Sequence, residues 1–335
     1  MTVAIQLVTW NGAKYLSPLL ASLRDQTYKD WQIFIWDNGS TDNTVAELGG
    51  ALTGGWCRYE ITKSDKNIGF ASAHNRLFAQ CSALHIPCYV FLLNQDTVLE
   101  PDYIEKLVDF LGQHSEVGSV TGRIMKLNDR QKIDSMGLKI LITGQVVEIT
   151  TVPSCHSERS GAKSKNLSKD PSTPPLAGGV AQDDNYPFEV FGVSGALPVY
   201  RITAIKQLGL FDEDFFSYKE DVDLAYRLRR AGFKAYCVPR AVAYHDRSAG
   251  TAGGLVRTAQ EYYNRSELIN FYSYRNHIFV LIKNLDRRDF WRLPFIFIYE
   301  LGKFFYLLIL EPKVLSKAWA DIWRLAPKMI KKRHI

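Results

Sequence analysis

Between Val3 and Leu111 short apolar runs alternate with stretches of helical spacing, and few folds accommodate that rhythm. Strand-like runs fall at Val3 to Val8, Trp31 to Trp36, Tyr59 to Lys63 and Tyr89 to Leu93; helical patterns fall at Tyr15 to Asp25, Asp42 to Leu48, Phe70 to Ala83 and Tyr103 to Leu111. Strands covered by helices on both faces read as continuous apolar runs. This order therefore predicts an α/β fold: a Rossmann-like, doubly wound and mostly parallel sheet with right-handed crossovers, flanked by helices. In such sheets ligands bind beyond the carboxyl ends of the strands. The polar residues just after each strand are the ones to inspect.

Those residues are chemically rich. Thr9-Trp10-Asn11-Gly12 follows the first strand, Asp37-Asn38-Gly39-Ser40 the second, and Asn94-Gln95-Asp96-Thr97 the run ending at Leu93; Lys66-Asn67-Ile68-Gly69 leads into the third helix. No G-x-G-x-x-G stands at the first turn, which argues against a dinucleotide fold. Asp37 lies where a base or ribose hydroxyl would meet the sheet edge, and a carboxylate accepts from N–H or O–H. Ser40 to Asn43 reads as a turn plus a helix cap at Thr41 or Asp42. Asp96, beyond the most apolar strand, suits a hard divalent cation bridging phosphates, although strand-end acids are also common in plain turns. His245 follows a strand-like run from Ala235 to Tyr244. A lone histidine is more often structural than a ligand, yet an imidazole there can pair with Asp96 around a metal.

Further along, Glu220, Asp221 and Asp223 fall within four positions at the start of a helical pattern, with Leu224 and Leu228 at i, i+4 and Gly232 as the stop. Acids at a helix start favour the positive end of the dipole, so capping explains one or two of them. The aromatics Phe215, Phe216 and Tyr218 just upstream suggest a partly walled pocket, in which a carboxylate is well placed as a general base. Gly192, Ser194, Gly195 and Ala196 allow close backbone approach to a ligand, or equally a bulge or a tight strand crossing.

At 335 residues the chain is long enough for a full α/β core with a smaller appendage, and at 46% hydrophobic and 23% charged it is globular. The net charge of +6 is gathered partly in Lys328, Lys331, Lys332 and Arg333. Such a tail favours anionic lipid or is simply solvated; no nucleic-acid module accompanies it. Five cysteines without metal-type spacing read as reduced thiols in a cytosolic setting, and the N-terminus lacks the pattern of a signal peptide. From about 152 to 186 Ser, Lys, Pro and Gly dominate, and the expectation is a mobile insertion, a candidate lid over a substrate. Residues 261–335 are read as an aromatic and basic helical region appended to a domain spanning 1–260. Within it, Phe290 to Leu310 has the length of a spanning helix, which needs roughly 20 mostly apolar residues, but is interrupted by Arg292, Pro294, Glu300, Gly302 and Lys303. A helix lying in the membrane interface fits better, with packing on a second subunit as the rival.

Taken together these segments resemble a known family. The chain is similar to family 2 glycosyltransferases of GT-A fold, nearest their rhamnosyltransferase-like and galactofuranosyltransferase-like branch. The match is carried by Val8-Thr9-Trp10-Asn11, Asp37-Asn38-Gly39-Ser40-Thr41-Asp42, Asn67-Ile68-Gly69-Phe70-Ala71 with His74-Asn75-Arg76, and Leu92-Leu93-Asn94-Gln95-Asp96-Thr97. It continues through Val193-Ser194-Gly195-Ala196, Glu220-Asp221-Val222-Asp223-Leu224 and His245, with Tyr274-Arg275-Asn276-His277 like the tails of bacterial members. The resemblance implies that Thr9, Asn11, Asp37 and Asn67 hold the nucleotide, with Asn94 replacing the first acid of a DxD-type motif and free to bond a ribose. It implies Asp96 and His245 as contacts of a divalent metal (Mn2+ or Mg2+), Asp221 as the catalytic base, Glu220 helping to position the acceptor, and Gly195, Ala196 and Asp223 near the acceptor. The implied activity is inverting transfer from a dTDP- or UDP-linked sugar to a lipid-linked glycan or polysaccharide, with rhamnose from dTDP-rhamnose as the leading donor. The enzyme would be peripheral on the cytoplasmic face of the membrane, possible as a homodimer. The rivals are a galactofuranosyl or hexosyl transferase using a UDP-sugar, and a catalytically silent GT-A-like module.

Overall fold

A computed structural model describes residues 2–84, 88–152, 185–247 and 267–333. The strands β1 (Val3–Thr9), β2 (Trp31–Asp37), β3 (Arg58–Lys63) and β4 (Tyr89–Asn94) pair in parallel in the order β4-β1-β2-β3. Side-chain alternation sorts their residues: Val3, Ile5 and Leu7 face one side with α1 (Ala13–Arg24), α2 (Thr44–Leu52) and α4 (Tyr103–Gln113), through Leu16, Leu19, Leu48 and Leu107. The opposite face is covered by α3 (Phe70–Leu84), α5 (Ile202–Leu208) and α6 (Glu220–Arg230), through Leu77, Ile205 and Leu224. The doubly wound expectation is met, with every apolar run of the first half in place.

The second half of the sheet is mixed. β6 (Val117–Lys126) and β12 (Lys234–His245) are parallel to each other, but β11 (Val199–Arg201) is wedged antiparallel between β4 and β6. The short β5 (Thr97–Leu99) pairs with the end of β12, β7 (Asp129–Ser135) with β6, and β10 (Phe188–Val190) forms the edge. A separate ribbon joins β8 (Leu138–Ile140) to β9 (Val146–Glu148). The cap of α2 corrects the sequence reading. Asn43 holds the N-cap position without a side-chain bond, while Asp42, one residue earlier, accepts from the backbone N–H and hydroxyl of Thr44. The expected insertion at 152–186 falls almost wholly on residues outside those described.

Among the described residues three helices follow the sheet: α7 (Glu267–Asn284), α8 (Leu293–Leu310) and α9 (Pro312–Lys331), with a 3-10 segment at Arg287–Arg292. They share a hydrophobic core with the sheet-bearing part, in which Leu138, Val146, Phe215 and Val222 pack with Tyr274, Phe279, Leu315 and Ile322. Ile296, Glu300, Lys303 and Leu307 lie at helical spacing along α8, and Glu300 bonds buried His277 of α7 at 2.8 Å. The other side of α8 exposes Phe297, Ile298, Phe305 and Ile309, which no described residue covers.

Candidate active site

The register of the parallel strands builds one end of the site. Thr9 lies directly beside Asp37, and Val8 beside Asn94, so the ends of β1, β2 and β4 share one edge of the sheet. Asp37 is buried and accepts from the Thr9 hydroxyl at 3.1 Å and from the backbone and hydroxyl of Ser40. Asn11, in the left-handed region at φ 47°, donates its N–H to Ser40 Oγ and accepts from Thr41 N at 2.8 Å. Asn67 accepts from Asn38 Nδ2 at 2.9 Å, and Asn38 in turn accepts from Ile68 N. Thr9, Asn11, Asp37 and Asn67 therefore lock the loops of this edge into one shape. Gln95 joins them: its amide exchanges two hydrogen bonds with the backbone of Trp10, whose indole is exposed.

A second group lies where β12 ends. His245 Nε2 is 3.3 Å from Asp96 Oδ1, and its Nδ1 is 3.0 Å from Asp134 Oδ2. Arg247 bridges Asp134 to Glu148, at 2.8 Å to each. Burial alone would lower the pKa of His245, but the bonds to Asp134 and Asp96 outweigh it and hold the imidazole up at about 9. These donor types suit a divalent cation, with a carboxylate orienting the imidazole through Nδ1; Nε2 and Asp96 Oδ1 face each other at 3.3 Å, so an ion bound by both would take the place of the proton between them. Among the described residues no three His, Cys, Asp or Glu side chains gather as ligands. The remaining positions would fall to phosphate oxygens and water, the usual arrangement for Mg2+.

The third group is the start of α6. Asp221 is half-buried; its Oδ2 accepts from Gly195 N at 2.9 Å and its Oδ1 from Val222 N at 2.8 Å. Desolvation, opposed by Lys219 and reinforced by Glu148, raises its pKa. Glu220 is more deeply buried; desolvation and the Asp221 carboxylate push it up to about 8. The segment 194–196 stitches these groups together. Ser194 Oγ donates to Glu148 at 2.9 Å, Gly195 N to Asp221, and the Ala196 carbonyl accepts from Asn94 N at 3.2 Å. Asp221 at one end and the Asp96–His245 pair at the other are thus joined by continuous hydrogen bonding.

The backbone leading into α6 is strained. Phe216 sits at φ 63°, ψ −62°, with Ser217 N bonded to Phe215 O at 2.7 Å, a γ-turn of the rare kind. Tyr218 and Lys219 follow at φ 71° and 72°. Each such residue costs on the order of 1–3 kcal/mol and persists only when its surroundings dictate it. One constraint is Gly69 at φ 88°, where a Cβ would fall 2.6 Å from the Phe216 ring and 2.8 Å from its carbonyl oxygen. Beside it Ala71 N donates to Phe216 O, and Asn75 bonds the backbone of Phe211 in both directions.

Several expectations are corrected. Asp223 does not face an acceptor: it is fully buried and accepts from Arg227 Nε, Lys283 Nζ and Asn284 Nδ2 at 2.9, 2.9 and 3.0 Å. Ala196 is also buried and acts through its carbonyl. Gly192 serves packing, since a Cβ there would meet the Ala225 side chain at 2.4 Å. Phe215 and Phe216 are engaged with other rings instead: Phe215 packs on Phe279, and Phe216 stacks on Tyr272 at 5.0 Å. Asp134, Glu148 and Arg247 were not singled out. Arg247 carried a signal, two residues past His245, whereas Asp134 and Glu148 lie in strands without a chemical motif.

A mostly parallel sheet whose strand ends gather Thr9, Asp37 and Asn94 at one edge, with carboxylates at the mouth of α6, is the architecture of GT-A glycosyltransferases. Matching the family model "Glycosyl transferase family 2" over residues 5–181, more than half its length, the chain belongs to that family. It is 26% identical over 253 residues to the N-acetylglucosaminyl-diphospho-decaprenol L-rhamnosyltransferase of Mycobacterium tuberculosis, spanning 73% of this chain and 76% of that one. Solved structures share the fold at low identity. S. aureus TarS 1-349 superposes with a TM-score of 0.58 at 14% identity, covering 98% of this chain and 82% of that one. GalNAc-T7 with UDP, GalNAc and Mn2+ superposes at 0.59 and 13% identity over 84% of this chain; the match spans 48% of that longer protein.

Proposed function

We propose that this glycosyltransferase moves rhamnose from dTDP-rhamnose to a hydroxyl of a lipid-linked glycan, inverting the anomeric centre, at the inner face of the cell membrane. The observation that carries the reading is the hydrogen-bonded path from Asp221 through Gly195 and Ser194 to Glu148, Arg247 and His245, which fixes a base relative to Asp96. The M. tuberculosis relative, named for rhamnosyl transfer to a lipid-diphosphate-linked sugar, supports both the donor sugar and the acceptor class.

In this mechanism Thr9, Asn11, Asp37, Asn67 and Asn94 form the nucleotide end. Asp221 accepts the proton of the acceptor hydroxyl as its oxygen bonds to the anomeric carbon; the bond to the diphosphate breaks and dTDP leaves with the electron pair. Asp96 and His245 would hold a divalent ion, as the Mn2+ of a fold neighbour encourages, and Asp134 orients the imidazole. When bound, that ion offsets charge on the leaving diphosphate as a Lewis acid. The raised pKa makes Asp221 a stronger base than an ordinary carboxylate.

The membrane assignment rests on the uncovered side of α8. Arg287–Leu310 is long and apolar enough to cross a bilayer, its most apolar 18-residue window having a mean hydropathy of 1.8. One side of α8 is nevertheless committed to the protein through Ile296, Glu300 and Leu307, which favours lying in the interface over spanning. Arg287, Arg288, Lys313, Lys317 and Lys331 are exposed nearby and complement anionic headgroups.

The test is nucleotide release from a panel of dTDP-rhamnose, UDP-galactofuranose, UDP-glucose and UDP-N-acetylglucosamine with Mn2+, Mg2+ or EDTA. A polyprenyl-diphosphate N-acetylglucosamine serves as acceptor. Metal-dependent release from dTDP-rhamnose, reduced about 10²–10⁴-fold in Asp221→Asn, is expected. Release from a UDP-sugar alone would replace the donor, and unchanged turnover in Asp221→Asn would remove the base.

A further inference from the structure

We infer that Asn276 of α7, supported by Arg275, is a positioning residue for sugar transfer: it grips the strained loop that sets Asp221. The inference rests on Asp221 being the base.

Asn276 is fully buried, and its side chain serves one purpose. Nδ2 lies 2.8 Å from Phe215 O, 2.8 Å from Ser217 O and 2.7 Å from Tyr218 O, so its two hydrogens are shared among three carbonyls. Its Oδ1 accepts from Arg275 Nε at 2.9 Å. Arg275 extends the grip upstream, donating to Asp214 O at 2.9 Å and Phe215 O at 3.1 Å, while Asp321 of α9 pairs with its guanidinium. The gripped carbonyls belong to the γ-turn at Phe216 and to the left-handed run at Tyr218 and Lys219, the last residues before Glu220 and Asp221.

A loop of non-glycine residues at positive φ relaxes unless something holds it. Gly69 admits Phe216 from the α3 side, and Asn276 reaches carbonyls on both sides of the turn. Relaxation there moves the first turn of α6 and with it the Asp221 carboxylate away from Gly195 N. Tyr274 and Val280 also pack α7 into the shared core, apart from the hydrogen bonds to these carbonyls.

The decisive variant is Asn276→Asp, which keeps volume and Oδ1 but replaces the donor, with Asn276→Ala should the buried acid prevent folding. The control is Leu281→Ala, buried on the same helix beside Gly144 and with no part in the hydrogen bonds to the loop. Three quantities are read: kcat and KM for nucleotide release from whichever donor of the panel turns over, dTDP affinity by calorimetry, and hydrogen exchange of residues 216–222. Expected for the Asn276 variants are a kcat loss of about 100-fold, the scale of a displacement near 1 Å, dTDP affinity within about two-fold, and faster exchange in 216–222. Leu281→Ala should lower Tm and leave kcat within about three-fold. Unchanged kcat in folded Asn276 variants, or a loss no larger than that of Leu281→Ala at equal Tm, overturns the inference. Turnover that survives Asp221→Asn while Asn276→Asp still loosens 216–222 traces the failure to the base assignment, and the positioning role falls with it.

Discussion

Asp223 provides the sharpest contrast between a residue that binds substrate and one that holds the fold. Its carboxylate is sealed and accepts from Arg227, Lys283 and Asn284. Asp223→Ala leaves the ammonium of Lys283 and the guanidinium of Arg227 buried with less counter-charge. Breaking a buried ion pair from one side costs about 3–5 kcal/mol. Two compensations remain: Lys283 keeps Asp212 at 2.9 Å, and Arg227 keeps the carbonyls of Leu208, Gly209 and Leu210. These place the expected loss near the lower end, about 3 kcal/mol, a large share of the roughly 5–15 kcal/mol that holds a protein folded. Urea unfolding followed by circular dichroism reads it directly. Asp223→Leu combined with Lys283→Met removes both charges and fills the space, so the pair should be at least about 1 kcal/mol less harmful than the sum of its singles. A loss below 1 kcal/mol in Asp223→Ala, or a rise in acceptor KM without loss of stability, would refute the reasoning and return Asp223 to the cleft.

Three further outcomes are expected. Burial and the neighbouring Asp221 hold Glu220 up at about 8 against an ordinary 4.5. The folded protein therefore binds the proton more tightly than the unfolded chain, and this contribution to stability is full below pH 4.5 and lost as pH rises through 8. Tm measured from pH 5 to 9 should fall more steeply in the wild type than in Glu220→Gln; parallel curves would contradict the shift. Gly69→Ala, which drives a methyl into Phe216 at a positive-φ site, should cost on the order of 2–4 kcal/mol and lower kcat, both measurable in one preparation. Replacing Phe297, Ile298 and Ile309 together by Ser should reduce flotation with phosphatidylglycerol-containing vesicles at least about tenfold while nucleotide release in detergent persists. Unchanged flotation, with a dimer by light scattering, would instead assign that side of α8 to a second subunit.

The sequence disclosed the parallel half of the sheet because its strands are uninterrupted apolar runs, and this alone directed attention to Thr9, Asp37, Asn67, Asn94 and Asp96. It was less informative where function depends on direction. Glu220, Asp221 and Asp223 fall at about 0°, 100° and 300° around one helix, so each faces a different environment: a buried wall, the segment 194–196, and α7. Which of them reaches the cleft depends on what packs around α6, a tertiary fact that spacing does not carry. β11 escaped notice because it is three residues long and runs against its neighbours. Asp134 and Glu148 escaped because isolated acids in short strands look like any solvated face until His245 and Arg247 come to meet them.

The shared core between the sheet and the C-terminal helices bears on how this enzyme can be taken apart. A chain ended after residue 247 would turn Phe215, Val222 and Leu138 toward water and strip Asp223 of Lys283 and Asn284. The sheet portion is thus not an exchangeable cassette onto which another tail can be grafted. A chimera that aims to change where the enzyme sits must exchange the outer surface of α8 alone and carry α7 across intact, and any natural lineage that alters its address is bound by the same seam.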